Sequence, residues 1–155
     1  MEFHVIDDEK HVGDVIVDML NAHGFSSIAF NCPRQYLEHA RSSEFKKPVA
    51  VFTDITMPGI NGYEMIDELR KIYPDQKFVV ISASSDVRHP AISEVGMFLS
   101  KPLRMETLGK AAASLIQCHK DGPSSNPKCM EINEYARFLN DWKCPHCSNC
   151  CQIPS

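Results

Sequence analysis

Val49-Ala50-Val51-Phe52-Thr53-Asp54 runs into Ile55-Thr56-Met57-Pro58-Gly59-Ile60-Asn61-Gly62, and Met65, Ile66, Leu69 and Ile72 then recur at helical spacing. Residues 49–53 are apolar or β-branched at most positions, the pattern of a short strand covered on both faces. Proline, glycine and asparagine turn the chain over residues 57–62. The apolar stripe that follows is one face of a helix, broken at Pro74-Asp75. Strand, loop and helix make one βα unit, and a carboxylate stands where the strand stops.

The same alternation extends in both directions. Toward the N-terminus, Glu2 to Ile6 reads as a strand, and Val12, Val15, Ile16, Met19 and Leu20 recur on one face of a helix stopped by Gly24. Ser27 to Phe30 is a second strand, followed by a short helix with Asn31 as its cap and Pro33 in its first turn. Toward the C-terminus, Phe78 to Ile81 and Met97 to Ser100 are strands four and five. A last helix buries Leu108, Ala111, Ala112, Leu115 and Ile116. Alternating strands and helices specify an α/β, doubly wound parallel sheet. These units fill residues 1–119.

Residues 120–128 form a linker by composition, because Gly122-Pro123-Ser124-Ser125-Asn126-Pro127 offers nothing apolar to anchor. Residues 129–155 combine an amphipathic helix (Ile132, Tyr135, Ala136, Leu139, Trp142) with a cysteine-rich tail. The 155 residues are 43% apolar and 23% charged, with a net charge of −4, which gives no basic stripe for direct nucleic-acid contact. No apolar run approaches the roughly 18 residues a spanning helix needs, so membrane insertion is not expected and a cytoplasmic location is the default.

The charges at the strand ends carry the chemistry. Asp7-Asp8 follows the first strand, Asp54 the third, Ser82 the fourth and Lys101-Pro102 the fifth. In an open parallel sheet the carboxyl ends of the strands share one rim, so these residues converge there. Crowded carboxylates raise one another's pKa unless a cation intervenes. Hard oxygen donors suit Mg²⁺, and a metal, an ammonium and a hydroxyl can together stabilise a phosphoryl group in transfer.

Across residues 1–119 the sequence resembles the receiver domain of two-component response regulators. The segments that carry the likeness are Val5-Ile6-Asp7-Asp8-Glu9, Phe52-Thr53-Asp54-Ile55-Thr56-Met57-Pro58-Gly59, Val80-Ile81-Ser82-Ala83 and Leu99-Ser100-Lys101-Pro102. The resemblance implies a flavodoxin-like five-stranded sheet of order 2-1-3-4-5. It implies Asp54 as phosphoacceptor from a sensor histidine kinase or histidine phosphotransfer protein. Asp7, Asp8, Asp54 and the backbone carbonyl of Thr56 would hold Mg²⁺, with Asp7 acting largely through water. Lys101 would pair with the phosphoryl oxygens, Ser82 would hydrogen-bond to them, and Phe98 would be the aromatic switch residue. Thr56 and Ser84 would tune hydrolysis. The Ser82 to Lys101 interval is shorter than receivers usually show and includes Pro90, so the helix expected there is short, displaced or partly unwound.

Cys144-x-x-Cys147-x-x-Cys150-Cys151 has thiolate-ligand spacing, and Cys129 or His146 could complete a site for Zn²⁺. An iron–sulfur cluster, redox signalling and a tail of thiols without metal remain open beside it. Two functions follow. One is a single-domain response regulator acting on an unidentified downstream protein, since the residues after the linker are too few for a helix-turn-helix output domain with its own core. The other is a metal-binding or redox-sensing module that uses the receiver as scaffold. An aspartate-nucleophile phosphatase would want a second Asp where Thr56 stands, so no enzyme is expected.

Overall fold

The computed structural model describes residues 1–57, 59–82 and 96–121. Its elements are β1 (Glu2–Ile6), α1 (Lys10–Ala22), β2 (Ser26–Phe30), α2 (Pro33–Ala40), β3 (Ala50–Asp54), α3 (Gly62–Ile72), β4 (Phe78–Ser82), β5 (Gly96–Ser100) and α4 (Met105–Asp121). All strands pair in parallel, in the order β2-β1-β3-β4-β5. The expected α/β architecture and strand order are both present. The helix expected between β4 and β5, with Ala83, Ser84 and Pro90, lies outside the described residues, as do 122–155 with every proposed tail ligand.

Side chains alternate across a strand with period two, so the central strands β1, β3 and β4 feed two cores. On one face Ile6, Val51, Phe78 and Val80 pack with Tyr36, Leu37, Met65, Ile66 and Leu69 from α2 and α3. On the other Phe3, Val5, Phe52, Val79, Ile81 and Leu99 pack with Ile16 and Leu20 of α1 and Leu108, Ala111, Ala112 and Leu115 of α4. The near-continuous apolar runs of β3 and β4 follow from this double coverage.

Helix ends follow local chemistry. Gly24, at φ +83°, lies just beyond the α1 cap at His23, the left-handed position glycine tolerates best. Asn61 caps α3: its side chain accepts the Glu64 N–H at 2.9 Å, and its amide donates to the Glu64 carboxylate at 3.3 Å.

One local expectation, the Asn31 cap, is corrected. The cap position of α2 is Cys32, without a side-chain cap, and Asn31 is exposed one residue earlier; Pro33 at the first helical position has no N–H to be satisfied. On α1 the sheet-facing residues are Gly13, Ile16 and Leu20, whereas Val15 stays 50% exposed. Successive helical residues are about 100° apart, and the sheet and α4 cover only part of the apolar stripe.

Candidate functional site

Period two also builds the rim. Asp7 continues the row of Phe3 and Val5, Asp54 that of Ala50 and Phe52, and Lys101 that of Leu99, all rows of the α1 and α4 face. Three strand ends thus aim one charged residue each at one place. Lys101 Nζ donates to Asp54 Oδ2 at 2.8 Å and stands 3.7 Å from Asp7 Oδ2. The Lys101–Pro102 peptide is cis.

Backbone donors fix both acids. The Thr56 N–H donates to Asp54 Oδ1 at 3.1 Å, so that carboxylate has a backbone donor on one oxygen and an ammonium on the other. The Glu9 N–H donates to Asp7 Oδ1 at 2.9 Å, and the Asp7 N–H is bonded to the Phe30 carbonyl at 3.1 Å. Asp8 is partly buried in the loop beyond Asp7, and Thr56 is exposed beyond Asp54.

Asp7 is only 2% exposed. Burial pushes its pKa up, reinforced by the charges of Asp54 and Asp8, although the Glu9 N–H and the Lys101 ammonium pull the other way. Burial works against the Lys101 charge, but the hydrogen bond to Asp54 and the charges of Asp54, Asp7 and Glu9 outweigh it and raise its pKa. Three carboxylates therefore share one ammonium, an arrangement that attracts a further cation.

Among the described residues no three His, Cys, Asp or Glu side chains converge closely enough to form a metal cage on their own. The donor chemistry still fits Mg²⁺, which takes one or two carboxylates and keeps several waters instead of requiring an all-protein cage. Asp7, Asp8, Asp54 and the Thr56 carbonyl are all hard oxygen donors beside this under-neutralised pocket.

Ser82 closes β4 with its Cα paired to Ser100, one position beyond the Asp54–Ile81 pair. Phe98 lies on β5 opposite Val80. The tail residues Cys129, Cys144, His146, Cys147, Cys150 and Cys151 lie outside the described residues. One contributor absent from the sequence reading is Gly62. Its N–H donates to the Ile55 carbonyl at 2.8 Å, and a Cβ placed on it would collide with the main-chain carbonyl of Asp54. The signal available in the sequence was a glycine directly after the capping Asn61.

Comparison with known proteins identifies the family and the fold. Residues 3–113 match the response regulator receiver domain family. The transcriptional regulatory protein CreB of Escherichia coli is 23% identical over 148 residues, covering 91% of this chain and 63% of its own length. The transcriptional regulatory protein DegU of Brevibacillus brevis is 31% identical over 99 residues, covering 61% and 41%. The chain therefore spans about two-fifths to just over three-fifths of these relatives. Among solved structures, a receiver domain protein from Clostridium thermocellum superposes with a TM-score of 0.64 at 25% identity, covering 77% of this chain and 96% of that one. The chemotaxis protein CheY4 of Vibrio cholerae shares the fold, with a TM-score of 0.60 at 20% identity and coverage of 74% and 97%.

Proposed function

The chain belongs to the response regulator receiver domain family, and on that premise we propose that it is a phosphoacceptor signalling protein that takes a phosphoryl group on Asp54. The observation that carries this reading is the pairing of Asp54 and Lys101 across two strand ends at 2.8 Å, with the buried Asp7 beside them. In the transfer, an Asp54 carboxylate oxygen attacks phosphorus as the bond from phosphorus to the donor's histidine nitrogen breaks. The imidazole leaves with the bonding electron pair, and Asp54 becomes an acyl phosphate.

Lys101 shifts from the carboxylate to a phosphoryl oxygen, which keeps its ammonium against the developing charge. The Thr56 N–H holds the other Asp54 oxygen and so orients the carboxylate for attack. Asp7, Asp8, Asp54 and the Thr56 carbonyl would hold Mg²⁺, which would supply Lewis-acid neutralisation of the phosphoryl oxygens. Ser82 is the hydroxyl partner of the phosphoryl group, and Phe98 is the residue that responds to it.

The donor is a sensor histidine kinase or a histidine phosphotransfer protein, and the recipient of the signal is a further protein. Residues 1–119 form the receiver, 120–128 the linker and 129–155 the appended tail, all in the cytoplasm. The family match ends at residue 113, and the metal or redox reading of the tail draws no support from the comparisons. The test is incubation with a small phosphodonor and Mg²⁺, followed by hydroxylamine, which cleaves an acyl phosphate. Hydroxylamine-sensitive label on Asp54 supports the reading, and absence of label contradicts it.

A further inference from the structure

An apolar groove of about 630 Å³ opens beside the rim, lined by His11, Val12, Val15, Ile16 and Met19 of α1 and by Lys101, Pro102 and Leu103 ahead of α4. Its walls are almost wholly apolar, and Val15 in α1 and Met105 at the start of α4 stand about half exposed. At Val15 the groove reaches the part of the α1 stripe that the sheet and α4 leave uncovered. A concave, mostly apolar groove of this volume is the shape that takes up a ligand or partner segment.

We propose that the occupant is this chain's own segment 132–142, whose Ile132, Tyr135, Ala136, Leu139 and Trp142 repeat at helical spacing. The length of chain fits. The groove lies at the N-terminal end of α4, and the described chain leaves at the other end of that helix, about 25 Å away for 17 residues. Residues 122–131 can span about 33–36 Å when extended, enough to return along α4. As a helix, the segment is about 16 Å long, against about 12 Å between His11 and Met19 of α1. Seated there, it covers the α1 face next to Lys101 and buries its own apolar stripe. The docking does not depend on phosphoryl chemistry at Asp54.

Trp142 is the chain's single tryptophan, so its fluorescence reports the segment directly. In the full chain, docking predicts blue-shifted emission shielded from acrylamide. Val15→Glu, at a half-exposed groove position, and Leu139→Ser, on the segment itself, should each shift the emission to that of a solvated indole and raise quenching several-fold, with far-UV circular dichroism of the receiver retained. If Val15→Glu fails to fold, Leu139→Ser alone decides. Solvated emission in the parent chain overturns the proposal, as does emission unmoved by the decisive substitution. A shift produced by dilution alone also overturns it, because the occupant would then be a second copy.

Discussion

Gly62, the first residue of α3, lies against the main chain of Asp54 so closely that a Cβ would overlap the Asp54 carbonyl oxygen and come within 2.9 Å of the Ile55 Cα. Both obstacles are backbone and cannot rotate away. Gly62→Ala should therefore destabilise the fold by about 1–3 kcal/mol, as overpacking does, and slow Asp54 labelling by shifting the end of β3. Urea unfolding and the labelling rate, measured on the same variant, check the two effects.

Asp7 should be a stability liability held for function. Its pKa is raised above the ordinary 3.8, so the folded state binds a proton more tightly than the unfolded chain. Its contribution is complete below pH 3.8 and is lost as pH rises through the folded pKa. Burial disfavours the ionised carboxylate in the folded state, and Asp7→Asn should raise the melting temperature while weakening Mg²⁺ binding. Thermal unfolding with and without Mg²⁺ separates these outcomes.

His4 should make the domain acid-sensitive. It is buried in β1, with Nδ1 2.9 Å from the Tyr36 hydroxyl, and rings of Phe30, Tyr36 and Phe45 surround it. Desolvation lowers its pKa below 6.5, against the hydrogen bond and charge of Glu2, while His39 pushes the same way as burial. Near neutrality both states are deprotonated and stability is full; below about pH 6.5 the unfolded chain protonates first, and stability falls until the folded pKa is passed. The difference in unfolding free energy between the parent and His4→Leu should show this slope between pH 6.5 and the folded pKa.

Lys101→Gln should lower the Asp54 labelling rate roughly 100-fold, the scale of losing one preorganised donor to a developing oxyanion. The residue is a quarter exposed and its role is electrostatic, so the fold should persist. Labelling kinetics from a small phosphodonor, with circular dichroism as control, test this.

The strands were legible because parallel strands covered on both faces have few sequence patterns open to them. Val49–Phe52 and Phe78–Ile81 could hardly sit elsewhere, and the acids and lysine at strand ends follow from the topology once the order is set. The half exposure of Val15 was not legible, because periodicity reports an apolar face without reporting how much of it the domain covers. Gly62 was missed because close approach of two backbones leaves no periodic trace. The His4–Tyr36 bond joins residues 32 positions apart, a pairing that no local pattern announces.

The central claim is that Asp54 is the acceptor, and native mass spectrometry of the full chain with a small phosphodonor, with and without Mg²⁺, tests it most directly. The account predicts a gain of one phosphoryl group that requires Mg²⁺ and disappears in Asp54→Asn. No gain in the parent chain, or a gain that survives Asp54→Asn, would contradict it.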